Sequence, residues 1–412
     1  MKSVFIGSIP NAEKEDILLT KQLIKSTENS NDLIKLENKF KEKFGFNNVF
    51  FLNTGRSSLY AILKVIDIKK NDEVITQSFS CMAASQPIIW CGAKPVYADI
   101  QEDDFNIDIE DIKRKITHST RAVIIQHTFG IPIDLRREID KINKERDLNK
   151  KIFLIEDCAH SLGAKINDKY VGHQGDFSFF SFSQDKVVSS IQGGAVVVNN
   201  EKYIEAFKKY YNKLETIPNK NLLYLLKYQL YWNYIKNTYF FPNPNLKFTL
   251  GRALVLILRK LGHIKQQVDI NNPYEREVFR LSSKQAQLLN LQIDKIEKLN
   301  SHRQKIANIY NKELLEKFKF EREGIYLRYP VLISNTEEIH KILSKEKIII
   351  GNWYNHPIYP NGVNLEIFGY KNDCPIAEEK CKYIINLPTN IEVDLKTAEY
   401  IAKAINKYGV SI

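Results

Sequence analysis

The alternation between short β-rich runs and helix-like stretches in the first half of the chain most constrains its fold. The run NVFFLNTG precedes the helix-like RSSLYAILKVI, and DEVITQ precedes MAASQPIIWCG and then KPVYADI. The series continues through RAVIIQHTFG, KIFLIEDCAHSLGA, FSFFSF and GAVVVNN. This rhythm predicts an α/β fold with a mostly parallel sheet. Functional residues should gather at the carboxyl ends of such strands, where loops and helix starts face an open crevice.

The first of these strand ends, NTGRSSL, offers a place for a phosphate group. Gly55 permits a tight turn, and the backbone amides of Arg56 and Ser57 open the following helix. A single glycine at a helix start is weak evidence, because most such glycines belong to ordinary turns. The motif therefore gains weight only in combination with others.

Later strand ends carry polar side chains. Asp157 ends an apolar strand, where a carboxylate is costly unless it meets a cation or hydrogen-bond donors. His160 follows three residues later, and Ser181 and Lys186 lie in SFSQDK after the next strand. Taken singly, these residues could be a helix cap, a core histidine, a turn cap and a surface charge. Together with the phosphate cradle, an acid, a hydroxyl and a lysine are the parts needed to hold pyridoxal phosphate.

The sequence resembles the DegT-type sugar aminotransferases, fold type I pyridoxal-phosphate (PLP) enzymes that make amino sugars on nucleotide carriers. The family pattern ED-x-A-[QH]-x-x-GA is matched by EDCAHSLGA, and the pattern around the family lysine by SFSQDKVVSSIQGG. The likeness runs from about residue 40 to 200 and resumes from about residue 275. It implies a large PLP-binding α/β domain over residues 1–275 and a smaller C-terminal α+β domain over residues 276–412.

The resemblance also implies a role for each candidate residue. Lys186 would be the lysine that is covalently linked to the cofactor, and Asp157 would pair with the ring nitrogen. His160 would lie beside the cofactor ring. The phosphate would be held by the remaining candidates of this region, namely Gly55, Arg56, Ser57 and Ser181.

Three positions depart from the family pattern. Val278 stands where many members have an asparagine that reaches the phosphate of a neighbouring subunit. Cys81 aligns with the aromatic residue that commonly stacks on the ring, which leaves Phe79 as a substitute only if the register shifts. Gln192 replaces a glutamate before the glycine pair. These changes concern the positioning of the cofactor and the substrate class.

The activity implied by the resemblance is transamination. An amino acid, commonly glutamate, would supply the amino group to a keto sugar linked to a nucleotide diphosphate, for amino-sugar and surface-polysaccharide biosynthesis. The active enzyme would be a homodimer, because active sites in this family lie at a two-fold interface. The alternatives are another PLP-dependent reaction on a sugar, either dehydration or epimerisation, and a non-catalytic sensor or binding module.

Composition and charge exclude other classes of protein. The chain has 412 residues, a 43% hydrophobic content and a net charge of +11. Much of this charge lies between residues 201 and 270, with 12 Lys and Arg against 4 Asp and Glu, and no nucleic-acid motif accompanies it. We therefore expect no nucleic-acid partner. The five cysteines form no CxxC pair and nothing marks export, so we expect a cytoplasmic protein without a metal site.

A predicted helical insertion covers about residues 201–270. Its sequence suggests two helices, NLLYLLKYQLYWNYIKNTYFF and LGRALVLILRKLG, joined by a Pro-containing turn. One interpretation is that the pair packs on its own domain or on a subunit partner. The other is a peripheral contact with the inner face of a membrane, because aromatic residues and leucines flanked by lysines suit that interface.

Overall fold

The computed structural model describes residues 3–29, 31–145, 151–242, 249–264 and 270–412. Among them the strands are β1 (Val4–Phe5), β2 (Val49–Leu52), β3 (Glu73–Gln77), β4 (Ser80–Cys81), β5 (Lys94–Ala98), β6 (Thr120–Gln126), β7 (Phe153–Asp157), β8 (Lys165–Ile166), β9 (Lys169–Tyr170), β10 (Phe177–Ser181), β11 (Gly194–Val198), β12 (Tyr329–Leu332), β13 (Ile348–Ile349), β14 (Ile358–Tyr359) and β15 (Ile384–Leu387). The α-helices are α1 (Lys14–Lys25), α2 (Asn31–Phe44), α3 (Gly55–Val65), α4 (Met82–Trp90), α5 (Ile109–Lys115), α6 (Arg136–Glu145), α7 (Ile204–Asn212), α8 (Asn219–Thr238), α9 (Leu250–Lys260), α10 (Ser283–Asp294), α11 (Ile296–Glu313), α12 (Thr336–Lys345), α13 (Pro375–Tyr383) and α14 (Leu395–Tyr408).

The central sheet contains seven strands in the order β2-β11-β10-β7-β6-β3-β5. Strand β11 is antiparallel to both of its neighbours, and the other adjacent pairs are parallel. The mostly parallel sheet expected from the sequence is therefore confirmed. Alternate residues face opposite sides, as the pleat requires. Ile124 and Ile155 join the cluster that includes α3, whereas Val123 and Leu154 join the cluster that includes α5 and α6.

The topology brings the predicted strand ends to one edge of the sheet. Strands β2, β7 and β10 run in the same direction, so their carboxyl ends lie together. In the ladder Asp157 pairs with Phe179, while Gly194 pairs with both Ser181 and Leu52. The turn after β2, the acid of β7 and the hydroxyl of β10 therefore border the same crevice.

The C-terminal part combines helices with short strands. Strands β12 and β15 form an antiparallel pair, and α11 packs against α14. The beginning of the chain lies here too, because Val4 pairs with Ile348 and the Phe5 amide donates a 2.8 Å hydrogen bond to Glu392. The division into domains at residue 275 stays a prediction.

The predicted insertion contains α7, α8 and α9. Helix α8 packs along α1 and α9, and its side chains Leu222, Leu226 and Ile235 are buried. Most of the Pro-containing turn expected before α9 lies outside the described residues. Within the described ranges, no helix combines the length and apolar content needed to cross a membrane.

Candidate active site

The start of α3 forms one end of the crevice. Thr54 caps the helix by accepting a 2.9 Å hydrogen bond from the Ser57 amide, and the Ser57 hydroxyl donates to the Glu277 carbonyl at 2.9 Å. Ser181 lies so close that a Cβ atom at Gly55 would be only 3.1 Å from its Cβ. The glycine thus lets β10 approach the helix start closely, because a Cβ atom there would push the Ser181 side chain aside. The positive end of the α3 dipole suits a phosphate group.

Arg56 occupies the first turn of the same helix. Its guanidinium donates to the Gln86 side chain at 3.0 Å, and burial lowers its pKa. Val278, at the position of the family asparagine, packs beside the hydrophobic cluster that includes α3. The side chain of Val278 is therefore occupied in packing within its own chain.

Lys186 lies in the connection between β10 and β11, and residues 182–191 of this connection are called the lysine turn. The Asn11 side-chain amide donates to the carbonyls of Lys186 and Val187 at 2.9 and 3.1 Å. Arg303 donates to the Val187 carbonyl at 2.7 Å. The Lys186 Nζ atom lies 4.6 Å from the centre of the Trp353 ring. The backbone around Lys186 is thus held from two sides while its half-buried side chain points along an aromatic surface.

Asp157 is a buried carboxylate at the end of β7. Only 5% of the residue is exposed, and its Oδ1 atom accepts a 2.9 Å hydrogen bond from the Ala159 amide. Burial raises the pKa of Asp157 to about 6, against the opposing effects of that amide, Lys186 and His127. A carboxylate in this position gains much from a positively charged N–H partner, which is what a protonated pyridine nitrogen provides.

His160 stacks within a layer of aromatic rings. Its ring centre is 5.4 Å from that of Trp353 and 6.3 Å from that of Phe129, with interplanar angles of 11° and 7°. Burial, Lys186 and Arg328 lower its pKa well below the ordinary value. The Phe129 amide donates to Nδ1 at 3.2 Å, so the proton of the neutral ring is on Nε2, which faces the Tyr354 hydroxyl at 3.2 Å.

Phe79 is enclosed by other aromatic side chains. Its ring centre lies 5.2 Å from Phe105, 5.6 Å from Tyr354 and 6.2 Å from Phe129. Cys81 is the N-cap residue of α4, and the charges of Lys186 and Arg56 act on its thiol, whose pKa burial raises. Cys81 is therefore within the electrostatic reach of the lysine, and the stacking role of Phe79 stays a prediction.

Two residues of the C-terminal half, Arg328 and Trp353, border the site and were not predicted from the sequence. The Arg328 guanidinium centre lies 3.2 Å from the centre of the Trp353 ring, against which Lys186 also lies. Arg328 is 4% exposed, its ion pair with Asp185 is 3.6 Å long, and its Nε atom has no hydrogen-bond partner among the described residues. An arginine inside the apolar run IYLRYPVLI was the available signal, because an arginine is rarely buried without an anionic partner.

Solved structures place the fold among the sugar aminotransferases. The Helicobacter pylori aminotransferase PseC, involved in pseudoaminic acid biosynthesis, matches with a TM-score of 0.73 and 21% identity over 98% of this chain and 99% of that one. Spr1654 from Streptococcus pneumoniae, solved in PLP and PMP forms, matches with a TM-score of 0.74. The PLP form is 20% identical over 98% of both chains.

Curated relatives have names in the same class. The GDP-perosamine synthase of Escherichia coli O157:H7 is 25% identical over 98% of both chains. The dTDP-3-amino-3,6-dideoxy-alpha-D-galactopyranose transaminase of Aneurinibacillus thermoaerophilus is 24% identical over 90% of this chain and 89% of the relative.

The model of the DegT/DnrJ/EryC1/StrS aminotransferase family matches residues 10–216 and 254–406, and the chain belongs to this family. The expected fold class, the aminotransferase class and the PLP cofactor are thereby confirmed. The unmatched residues 217–253 lie inside the predicted insertion and include all of α8. The roles of the individual site residues stay predictions.

Proposed function

We propose that this chain is a PLP-dependent aminotransferase that moves an amino group from an amino acid, preferably glutamate, to a nucleotide-linked keto sugar. The observation that carries the proposal is the meeting of Lys186, Asp157 and the α3 start at one sheet edge in a member of this family. The relatives named above carry names of GDP- and dTDP-linked amino sugars. Amino-sugar biosynthesis for surface polysaccharides is the corresponding process.

The residues at the crevice fit the cofactor. A buried carboxylate with a raised pKa suits the ring nitrogen, and the close approach of Ser181 to Gly55 builds a cradle at a helix start for the phosphate. Lys186 lies on the same edge and can form the covalent link. When bound, PLP supplies an aldehyde that takes up the amino group and a ring that withdraws electrons from the reacting carbon.

Lys186, Asp157 and His160 have separate roles in the proposed proton transfer. The Lys186 Nζ atom is the base that removes the proton from the donor α-carbon. Asp157 keeps a proton on its N–H partner through charge and hydrogen bonding. His160 stays neutral and, with Trp353, forms a flat surface that excludes water from the reacting atoms.

Arg328 is the residue that we assign to the donor carboxylate. Its cation is buried beside the lysine, and its 3.6 Å pairing with Asp185 leaves the Nε atom unpartnered. A buried guanidinium binds a carboxylate strongly, because planar pairs of hydrogen bonds replace its lost water. An amino acid would satisfy this group, whereas a neutral amine would not.

Product analysis tests the proposed function. Purified protein is incubated with PLP, glutamate and a panel of nucleotide-linked keto sugars, and the products are analysed by mass spectrometry. A product that carries the mass of an amino group, together with stoichiometric 2-oxoglutarate, supports amino transfer. A dehydrated or epimerised sugar supports the second reaction class, and a chain that binds no PLP supports a sensor or binding module.

The active form is proposed to be a homodimer. Tyr274 is 61% exposed, and the chain that follows it passes beside the start of α3, where the Glu277 carbonyl accepts a hydrogen bond from the Ser57 hydroxyl. A second copy could cover this ring next to the crevice. Light scattering coupled to size-exclusion chromatography tests the proposal, and a monomeric mass across the working concentration range contradicts it.

A cytoplasmic location with peripheral contact at the inner membrane face is the last part of the proposal. On α9 and just after it, Leu256, Ile257 and Leu261 are 52%, 53% and 63% exposed, next to the exposed Arg259 and Lys260. This combination suits an anionic lipid surface. Flotation with anionic and neutral vesicles compares the native chain with the Leu256→Ser/Ile257→Ser variant. Native protein that stays out of the anionic vesicle fraction at low salt contradicts the contact.

A further inference from the structure

Asp185 directly precedes Lys186 in the chain, and the proposed mechanism gives it no role so far. Its Oδ2 atom lies 3.6 Å from the Nη2 atom of Arg328. The Oδ1 atom of Asp185 is buried and has no hydrogen-bond partner among the described residues. A carboxylate accepts several hydrogen bonds when it is well placed. The Asp185 carboxylate therefore uses little of its bonding capacity and interacts with Arg328 mainly through charge.

The guanidinium of Arg328 also has unused bonding capacity. It is buried against the Trp353 ring, and its Nε atom has no hydrogen-bond partner in the part of the chain that the structure describes. Gly351 leaves room for the group, because a Cβ atom there would lie 2.7 Å from Nη1. Charge-assisted hydrogen bonds between a guanidinium and a carboxylate are usually about 2.7–2.9 Å long and often come in pairs. The 3.6 Å contact with Asp185 is longer than this, so a better placed carboxylate can replace it.

The two proposed substrates make different demands on this cation. The amino donor carries a carboxylate on its reacting carbon, whereas the keto sugar carries none there. A buried cation that loses its anionic partner is strongly destabilised. Two carboxylates at one cation repel each other, so Asp185 and the donor carboxylate would bind Arg328 in turn.

We propose that Asp185 is an exchangeable counter-ion of Arg328. It pairs with Arg328 when the site is empty or holds the keto sugar, and it gives way to the carboxylate of the amino donor. Asp185 is then a specificity-determining residue, because it lets one site accept a charged and a neutral substrate in alternation. The inference rests on the proposed function, but the competition between carboxylates can be measured without any reaction.

Calorimetric binding of glutarate, which matches glutamate without its amino group, tests the competition. The measurement is made with PLP present and is repeated without it. Asp185→Asn keeps the size of the side chain and removes the competing charge, so glutarate should bind about threefold to tenfold more tightly. Asp294→Asn at the end of α10 is the matched control, because it removes an exposed charge paired with Lys39 and should leave the affinity unchanged. In an Arg328→Gln background, Asp185→Asn should have no effect on glutarate.

Kinetics with both substrates complete the experiment. Asp185→Asn should lower the KM for glutamate and raise the KM for the keto sugar, which a merely structural role for Asp185 would not do. Equal glutarate affinity in the native chain and Asp185→Asn, or a gain that persists without Arg328, overturns the proposal. A shift of both KM values in the same direction also contradicts it. Failure of amino transfer in the native chain would refute the proposed function and leave the binding result standing.

Discussion

Replacing Asp157 by asparagine should stabilise the cofactor-free protein while it destroys the activity. The substitution keeps the shape and an oxygen for the Ala159 amide, and it removes a charge that burial disfavours. The pKa rises from 3.8 to about 6 in the folded chain. This rise corresponds to about 3 kcal/mol, at about 1.4 kcal/mol for each tenfold change.

The sign of the pH dependence follows from the direction of this shift. The folded chain binds the Asp157 proton more tightly than the unfolded chain, so the free energy of unfolding falls as the pH rises from 3.8 through about 6. Above that range the native chain bears the full cost of the ionised carboxylate. At low pH the carboxyl is neutral in both states, and the variant should have no advantage.

Urea unfolding of the cofactor-free chain, measured between about pH 3 and pH 7.5, checks this expectation. At the upper end Asp157→Asn should be more stable than the native chain by up to about 3 kcal/mol, and the difference should vanish at the lower end. Asp168→Asn, at an exposed position between β8 and β9, is the control for loss of a charge. A variant that follows the native pH dependence, or that is less stable near neutral pH, would refute the reasoning. With PLP and donor present, the same variant should transfer amino groups orders of magnitude more slowly.

Three further substitutions test other parts of the site. Lys186→Ala should abolish amino transfer and the absorption of lysine-bound cofactor with an unchanged circular dichroism spectrum, and near-normal turnover would remove Lys186 from its proposed role. Arg328→Lys should raise the KM for glutamate by about tenfold, because about 1.4 kcal/mol of charge-assisted hydrogen bonding to the donor carboxylate is lost. The KM for the sugar should stay constant, and equal effects on both KM values would contradict the assignment. Gly194→Ala should lower the unfolding free energy by about 1–3 kcal/mol, because its Cβ would lie 2.3 Å from the Thr54 carbonyl oxygen; a thermal unfolding midpoint equal to that of the native chain would show that the strand moves freely there.

The sequence predicted the part of the site that the sheet alone arranges. Asp157 and Ser181 end strands of the alternating series and Gly55 follows one, and parallel strands bring their carboxyl ends to one edge whatever the connecting loops do. Arg328 and Trp353 were not predicted, because they reach the crevice through packing between distant parts of the chain. Patterns of neighbouring residues in the sequence do not indicate such long-range contacts.

In the insertion, too, the helices could be predicted from the sequence, whereas their packing could not. Its helices were predicted from their length and their flanking prolines, but the sequence left open which face of the first helix is covered. In the structure Leu222, Tyr228 and Ile235 are all buried on α8 although they do not form one regular stripe. The helix is covered by α1 on one side and α9 on another, so its apolar residues spread around the axis and weaken the helical period.

Asp157 and His160 are two buried ionisable groups on which the Lys186 charge acts, and their pKa values shift in opposite directions. Burial raises the pKa of Asp157 and lowers that of His160, while Lys186 favours the charged form of the first and the neutral form of the second. Because His160 holds its single proton toward Tyr354 and accepts an amide hydrogen bond on the other nitrogen, neither nitrogen is available to exchange a proton with substrate. Proton transfer at the reacting carbon consequently falls to Lys186, whose position depends on how firmly the surrounding turn is held.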